Sequence, residues 1–321
     1  MASFYKYGLV AVVLTGCANV SGPEQLASIP NALRSEFAQE DTAQSMYGPF
    51  VDATLAQHDN AFADAADYYL RALAVDPDSR FVADRAFFQL LYAGRMNEAA
   101  KVAVRLAEGE GGVRNDDLIS ILYVLEAYNR QDWPTVRQRL DGAQMAGFGG
   151  LVSPLIAAWS YIAEDDLSAA KQALAPMYDD PRLKPIADEH SAYMFDYLKD
   201  YEKAQTEYLQ LAGATQAASL QPFVAYADML ARTDRREEAR AFMGEVAARY
   251  NNNRFLLREG LLIASGRPPS QRPANPNGAL GSVFFRLASE FSQGSSPQAA
   301  VVYLRMASYL TPDVADIYFM L

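Results

Sequence analysis

The sequence predicts an all-α fold, a solenoid of about seven helical hairpins packed side by side. Three observations predict it: a small residue recurs at a near-constant interval, a second small residue stands twelve positions before most of these, and a bulky residue stands three positions before most of them. A period near 34 residues is typical of stacked helical hairpins, because each hairpin can bury its apolar side only against its neighbours.

The recurring small residue marks the point where the second helix of each hairpin crosses the first. A small side chain is needed there because the distance between two packed helices is set by the side chains at their contact. The steps between these register positions are 34, 37, 34, 34, 35 and 61 residues. The register positions are Ala65, Ala99, Val136, Ala170, Ala204, Ala239 and Ala300. The facing positions are Ala53, Phe87, Val124, Ala158, Ala192, Ala227 and Ala288.

A bulky side chain three residues before the register position is expected to fill the turn of each hairpin. It is present in the first five units as Phe62, Met96, Trp133, Leu167 and Tyr201, and Arg236 and Pro297 replace it in the last two. Pro77 and Pro312 are expected to end second helices, because proline removes a backbone donor. Together these features resemble the tetratricopeptide repeat (TPR) over roughly Tyr47 to Pro312. The resemblance implies a right-handed α-solenoid of TPR-like hairpins over residues 46–321.

Residues 252–279 interrupt this period. An apolar stretch from Arg254 to Ala264 predicts one extra helix, and the proline-rich run from Gly266 to Gly278 predicts a stiff, exposed loop. The interruption is either a hinge between two sub-arrays or a bulge on a continuous solenoid, and we expect the bulge. After Pro312 a further first helix is predicted to end in apolar residues, although a terminal repeat needs a polar outer face. The sequence therefore favours a fragment of a longer array over a helix that docks on another molecule.

The N-terminus is expected to be a targeting signal. Residues 1–16 carry one lysine and then the apolar run from Gly8 to Leu14, which is too short to span a bilayer but suits a secretory signal peptide. The run leads into Leu14-Thr15-Gly16-Cys17, which resembles the lipobox of bacterial lipoproteins and implies cleavage before Cys17 and acylation of that residue. The alternatives are a plain signal peptide and an apolar first helix with an incidental cysteine.

Acyl chains on Cys17 would anchor the protein without a transmembrane helix. Ala18 is not the aspartate that the resemblance associates with retention at the inner membrane, so an outer-membrane anchor facing the periplasm is expected. Residues 17–45 are polar, rich in small residues and contain Pro23 and Pro30, which predicts a lipidated N-terminus and a flexible tether.

Composition excludes several classes of function. A net charge of −11 argues against binding of nucleic acid, because phosphate recognition needs clustered Lys and Arg. One cysteine and two histidines leave little for a disulfide or a metal site. Asp188, Glu189 and His190 are adjacent on a predicted helix and point in different directions, and the common hydrolase motifs are absent. No enzymatic activity, cofactor or metal is expected.

The face formed by the first helices is the expected binding site, because stacked hairpins curve and their first helices line the concave side. Aromatic side chains are common anchors at interfaces. The acidic residues Asp84, Glu189, Asp196 and Asp228 are interleaved with them, which favours a neutral or basic peptide as the ligand. The aromatic residues predicted to face the partner-binding groove are Phe50, Phe88, Tyr92, Tyr128, Trp159, Tyr193 and Tyr197. The alternative is that many of them belong to the core between repeats.

These observations predict a membrane-anchored, periplasm-facing scaffold that binds peptide segments of other envelope proteins. The resemblance implies roles in envelope assemblies such as barrel insertion, pilus or exopolysaccharide secretion, and recruitment of peptidoglycan hydrolases, and no motif selects one of them. A module that binds a glycan, peptidoglycan or exopolysaccharide is the alternative from another class. A third is a fragment whose missing C-terminal part carries an activity.

Overall fold

The structure is a computed structural model that describes residues 45–109, 112, 116–143, 145–214, 219–294 and 296–321. The chain divides into two units, Met1–Ser45 and Met46–Leu321. The predicted signal peptide, Cys17 and nearly all of the predicted tether lie outside the described residues.

The described part of the second unit is entirely helical. Each helix packs against the helix that follows it through most of the chain, as expected for a helical-repeat solenoid. In chain order the helices are α1 (Tyr47–His58), α2 (Phe62–Val75), α3 (Arg80–Ala93), α4 (Met96–Glu108), α5 (Asp117–Asn129), α6 (Trp133–Gly142), α7 (Gly147–Ile162), α8 (Leu167–Tyr178), α9 (Lys184–Tyr197), α10 (Tyr201–Gly213), α11 (Gln221–Arg232), α12 (Arg236–Arg249), α13 (Arg254–Ala264), α14 (Pro276–Ser292), α15 (Pro297–Leu310) and α16 (Ala315–Met320).

The predicted phase of the repeat is confirmed by where the second helices begin. A helix begins three residues before each of the seven register positions, including the helices that start with Arg236 and Pro297 instead of a bulky apolar residue. Six register positions are fully buried, and the seventh, Ala300, is 4% exposed. The seven facing positions are fully buried as well.

The turns inside the hairpins share a backbone feature that spacing alone does not predict. Five residues before each of the first six register positions, the chain adopts a left-handed conformation with φ between 58° and 76°. In these turns the N–H after the left-handed residue donates to a carbonyl five residues back, as Asp200 does to Phe195 at 3.0 Å. In three turns that next residue is an aspartate that caps the following helix. The left-handed residues are Asn60, Gly94, Gln131, Asp165, Lys199 and Asp234.

The alternate helices α5, α7, α9, α11 and α13 form a continuous series of contacts, which we call the first-helix row. The helix predicted from Arg254 to Ala264 is present with those bounds as α13, and it occupies the last place in this row. The loop that follows is not fully exposed as predicted, because Pro269 and Pro273 are buried. Glu259 on α13 fixes the loop by accepting hydrogen bonds from the backbone and side chain of Ser270, both at 2.7 Å.

The last helices depart from a continuous stack. We call α14, α15 and α16 the C-terminal helices. The pair α14–α15 folds back over helices that precede it by more than 100 residues: α14 packs against α7, and α15 against α3, α4 and α5. Ring contacts join Phe148 on α7 to Phe291 at 5.1 Å and to Tyr303 at 5.7 Å. After α13 the chain therefore returns to helices near the start of the stack.

Candidate functional site

The C-terminal helices and the first-helix row enclose a cavity of about 870 Å³. Helices α7, α9 and α13 and the start of α11 form one side, and α14 and α16 form the other. Phe319, which is 89% exposed, stands at the edge of the cavity and shows that it reaches solvent. Apolar side chains on its walls include Leu151, Ile186, Phe255, Val283, Leu287 and Met320.

An ion pair between a buried carboxylate and a partly exposed arginine joins the two sides of the cavity. Arg286 on α14 places Nη1 3.3 Å from Oε2 of Glu189 on α9, and its Nε lies 3.5 Å from Glu290. The Tyr193 hydroxyl donates to Oε1 of Glu189 at 3.2 Å. Burial raises the pKa of Glu189, and the positive charge of Arg286 opposes that rise. The pair therefore holds α14 against α9 at the cost of desolvating a carboxylate.

His190 is the second buried polar group on the wall of the cavity and is 2% exposed. Its Nδ1 accepts a hydrogen bond from Nε1 of Trp159 at 2.9 Å. Burial, with a smaller contribution from the charge of Arg286, lowers the pKa of His190 to about 3. The ring is therefore neutral near pH 7. Because Nδ1 is the acceptor, Nε2 carries the proton.

Ion pairs also close the cavity at the end of the first-helix row. Arg258 on α13 reaches Asp316 on α16 at 3.0 Å through Nη1, and its Nε donates to Glu259 at 2.8 Å. Arg254, one turn earlier, is exposed and forms no hydrogen bond or ion pair with the described residues. Among the residues that the structure describes, the charges along the cavity walls are thus paired, and the cation of Arg254 is not.

Three of the aromatic residues predicted to face a groove are core residues in this structure. Tyr128, Trp159 and Tyr193 are at most 1% exposed. Trp159 lies against Tyr197 with ring centroids 6.1 Å apart, and Tyr193 lies 6.1 Å from Tyr208. Neighbouring helices of the stack cover these rings. This corrects the expectation that they offer a surface to a partner.

The other four predicted groove residues are partly buried. Phe50 packs against Tyr69 and Phe81, Tyr92 lies 5.1 Å from Phe62, and Tyr197 packs on Trp159. Phe88 lies 5.2 Å from Phe87. Phe50, Phe88 and Tyr92 belong to α1 and α3, whereas Tyr197 ends α9. The structure does not bring the seven residues together in one exposed surface.

Three of the four acidic residues expected to favour a basic ligand, Glu189, Asp196 and Asp228, have arginine partners. Arg232 binds both oxygens of Asp196 at 2.9 and 3.0 Å and one oxygen of Asp228 at 2.9 Å. Arg272 in the proline-rich loop binds the other oxygen of Asp228 at 3.0 Å. With Glu189 paired to Arg286, these carboxylates leave no net negative field for a basic peptide.

Sequence reasoning did not identify the residues that line the cavity, apart from Glu189 and His190. Arg286 is 97 residues from Glu189 in sequence, and Asp316 is 58 residues from Arg258. Neither pair has a periodic spacing or a local motif. Only the reversal of the chain after α13 brings them together.

A comparison with protein-family models found no family that matches this sequence, and a comparison with curated proteins found no relative. Within the described ranges, no helix combines the length and the apolar character needed to cross a membrane. The same ranges contain no group of three or more His, Cys, Asp or Glu side chains arranged to hold a metal ion.

Proposed function

We propose that this chain is a lipid-anchored scaffold of the bacterial cell envelope that binds peptide segments of other envelope proteins. In this proposal Cys17 carries the acyl anchor in the outer membrane, residues 17–45 are the tether, and a right-handed array of about seven TPR-like hairpins faces the periplasm. The observation that supports it best is the equivalent burial of the register positions, because it extends the predicted repeat through the described unit.

The partner surface that fits this proposal lies on α1 and α3. Phe50, Phe88 and Tyr92 are only partly buried there, and Phe81 is 53% exposed. Aromatic side chains with this exposure supply apolar contact area to a peptide at a small cost in side-chain entropy. A glycan site would need exposed aromatic faces beside free carboxylates, and Glu189, Asp196 and Asp228 are bound by arginines.

Photo-crosslinking in intact cells tests the partner surface. A crosslinking phenylalanine analogue at Phe81 is expected to capture envelope proteins, and the same analogue at the exposed Lys101 on α4 serves as the matched control. Equal capture at the two positions would refute a partner surface on α1 and α3.

Metabolic labelling with a clickable fatty acid tests the anchor separately. The full-length chain is expected to incorporate the label and to fractionate with outer membranes, and Cys17→Ser is expected to abolish both. Labelling that persists in Cys17→Ser, or that is absent from the unmutated chain, would contradict lipidation at this residue.

A further inference from the structure

We propose that the cavity between the first-helix row and the C-terminal helices binds a single-chain acyl amphiphile with an anionic head group. The acyl chain lies along the apolar walls, an ester carbonyl accepts the Nε2 proton of His190, and the head meets Arg254. This site is separate from the partner surface on α1 and α3.

The size and lining of the cavity fit an apolar ligand. Its volume of about 870 Å³ falls within the roughly 300–1,000 Å³ typical of sites for one small ligand. Apolar side chains come from both sides, for example Ile186 on α9 and Leu287 on α14. Each methylene group that leaves water for such a wall stabilises the complex by about 0.8 kcal/mol.

His190 determines the first polar group that the ligand must carry. The ring is 98% buried and lines the cavity, its Nδ1 is occupied by Trp159, and its Nε2 forms no hydrogen bond with the described residues. A ligand that brings an acceptor to Nε2 therefore adds a hydrogen bond at a ring that is largely shielded from water. Because the ring is neutral, the matching group is a neutral acceptor such as an ester carbonyl.

The balance of hydrogen-bond donors and acceptors sets the charge of the head group. Each carboxylate on the walls has a cationic partner: Glu189 accepts from Tyr193 and Arg286, Asp316 accepts from Arg258, and Glu290 lies 3.5 Å from Nε of Arg286. Arg254 is a solvent-exposed cation with no partner among the described residues. The unfilled groups are therefore donors, and a ligand with an anionic head at the solvent edge matches them.

The ligand test uses the purified full-length chain without any partner protein, so its failure leaves the scaffold proposal standing. The probe is palmitoyl lysophosphatidylglycerol below its micelle concentration, with native mass spectrometry for stoichiometry and intrinsic tryptophan fluorescence for affinity. One saturable site is expected. Absence of saturable binding would overturn the proposal.

Matched probes and variants assign the contacts. Arg254→Gln is expected to weaken binding of the anionic probe by up to about fivefold, as loss of an exposed ionic contact does, without changing binding of palmitoyl lysophosphatidylcholine. His190→Asn keeps an acceptor for Trp159 but removes the Nε2 donor. It is expected to weaken binding of the ester probe by a factor of about ten, and binding of the ether analogue much less.

Arg240→Gln, an exposed change on α12, is the control and is expected to bind like the unmutated chain. Thermal unfolding of each variant verifies that it is folded. If Arg254→Gln and His190→Asn are folded and bind every probe like Arg240→Gln, the ligand adsorbs to exposed apolar residues and the proposed site is wrong.

Discussion

Ala170→Leu is expected to destabilise the stack far more than Ala175→Leu in the same helix. Ala170 is a register position with no exposed surface, and its facing residue Ala158 is also fully buried. Ala175, five residues further along α8, is exposed. The two substitutions add the same side chain to one helix, so a difference between them reports the local packing at the crossing point.

The expected magnitude follows from the lack of space at the crossing. Leucine adds three carbon atoms where neither residue has accessible surface, and inserting methylene groups into a packed core typically costs about 1–3 kcal/mol. We expect Ala170→Leu at the upper end of that range, because α8 also packs on the following helix α9. Ala175→Leu is expected to change the free energy of unfolding by less than about 0.5 kcal/mol.

Urea unfolding followed by circular dichroism at the helical band measures both values. The two variants should keep the same slope against urea, because a changed slope would indicate a changed unfolded or native state. Equal free energies of unfolding for Ala170→Leu and Ala175→Leu would refute the interpretation of the register positions as tight helix crossings.

Two further predictions concern the turns and the buried histidine. Gly94→Ala is expected to lower the free energy of unfolding by about 1–2 kcal/mol, because Gly94 has φ +76° and an added Cβ would lie 2.7 Å from the guanidinium carbon of Arg305. Lys199→Gly in the equivalent turn is expected to be neutral or stabilising. Thermal unfolding of the two variants compares them. His190 is neutral in the folded state, so between pH 6.5 and about 3 the imidazole is protonated only in the unfolded chain. The free energy of unfolding therefore falls as the pH is lowered through that range. The loss is on the order of 5 kcal/mol at most, and the difference in stability between the unmutated chain and His190→Asn should shrink over that pH range. A difference that stays constant would contradict a buried neutral ring.

The repeat could be predicted from the sequence because its signal is local and periodic. The small residues at the helix crossings are required by the geometry of one hairpin, so their spacing fixes where each second helix starts, even where Arg236 or Pro297 replaces the bulky residue. The left-handed turn residues were not predicted, because Gln131 and Lys199 are not residue types that favour that conformation.

The candidate site could not be predicted, because it depends on contacts between distant parts of the chain. Helical spacing tells which face of a helix Trp159 or Tyr193 occupies, but it does not tell whether water or another helix covers that face. The reversal of the chain after α13 depends on the proline-rich loop fixed by Glu259 and Asp228, and on the ion pair between Glu189 and Arg286. Each of these contacts joins residues that no periodic pattern connects.

The fold-back of the C-terminal helices over the first-helix row is the central claim, and a photo-crosslink tests it most directly. A crosslinking phenylalanine analogue at Phe148 is expected to form an intramolecular bond to the peptide that carries Phe291 or Tyr303, whose rings lie 5.1 and 5.7 Å from that of Phe148. Crosslinks confined to helices adjacent in the stack, with none to α14 or α15, would contradict the account.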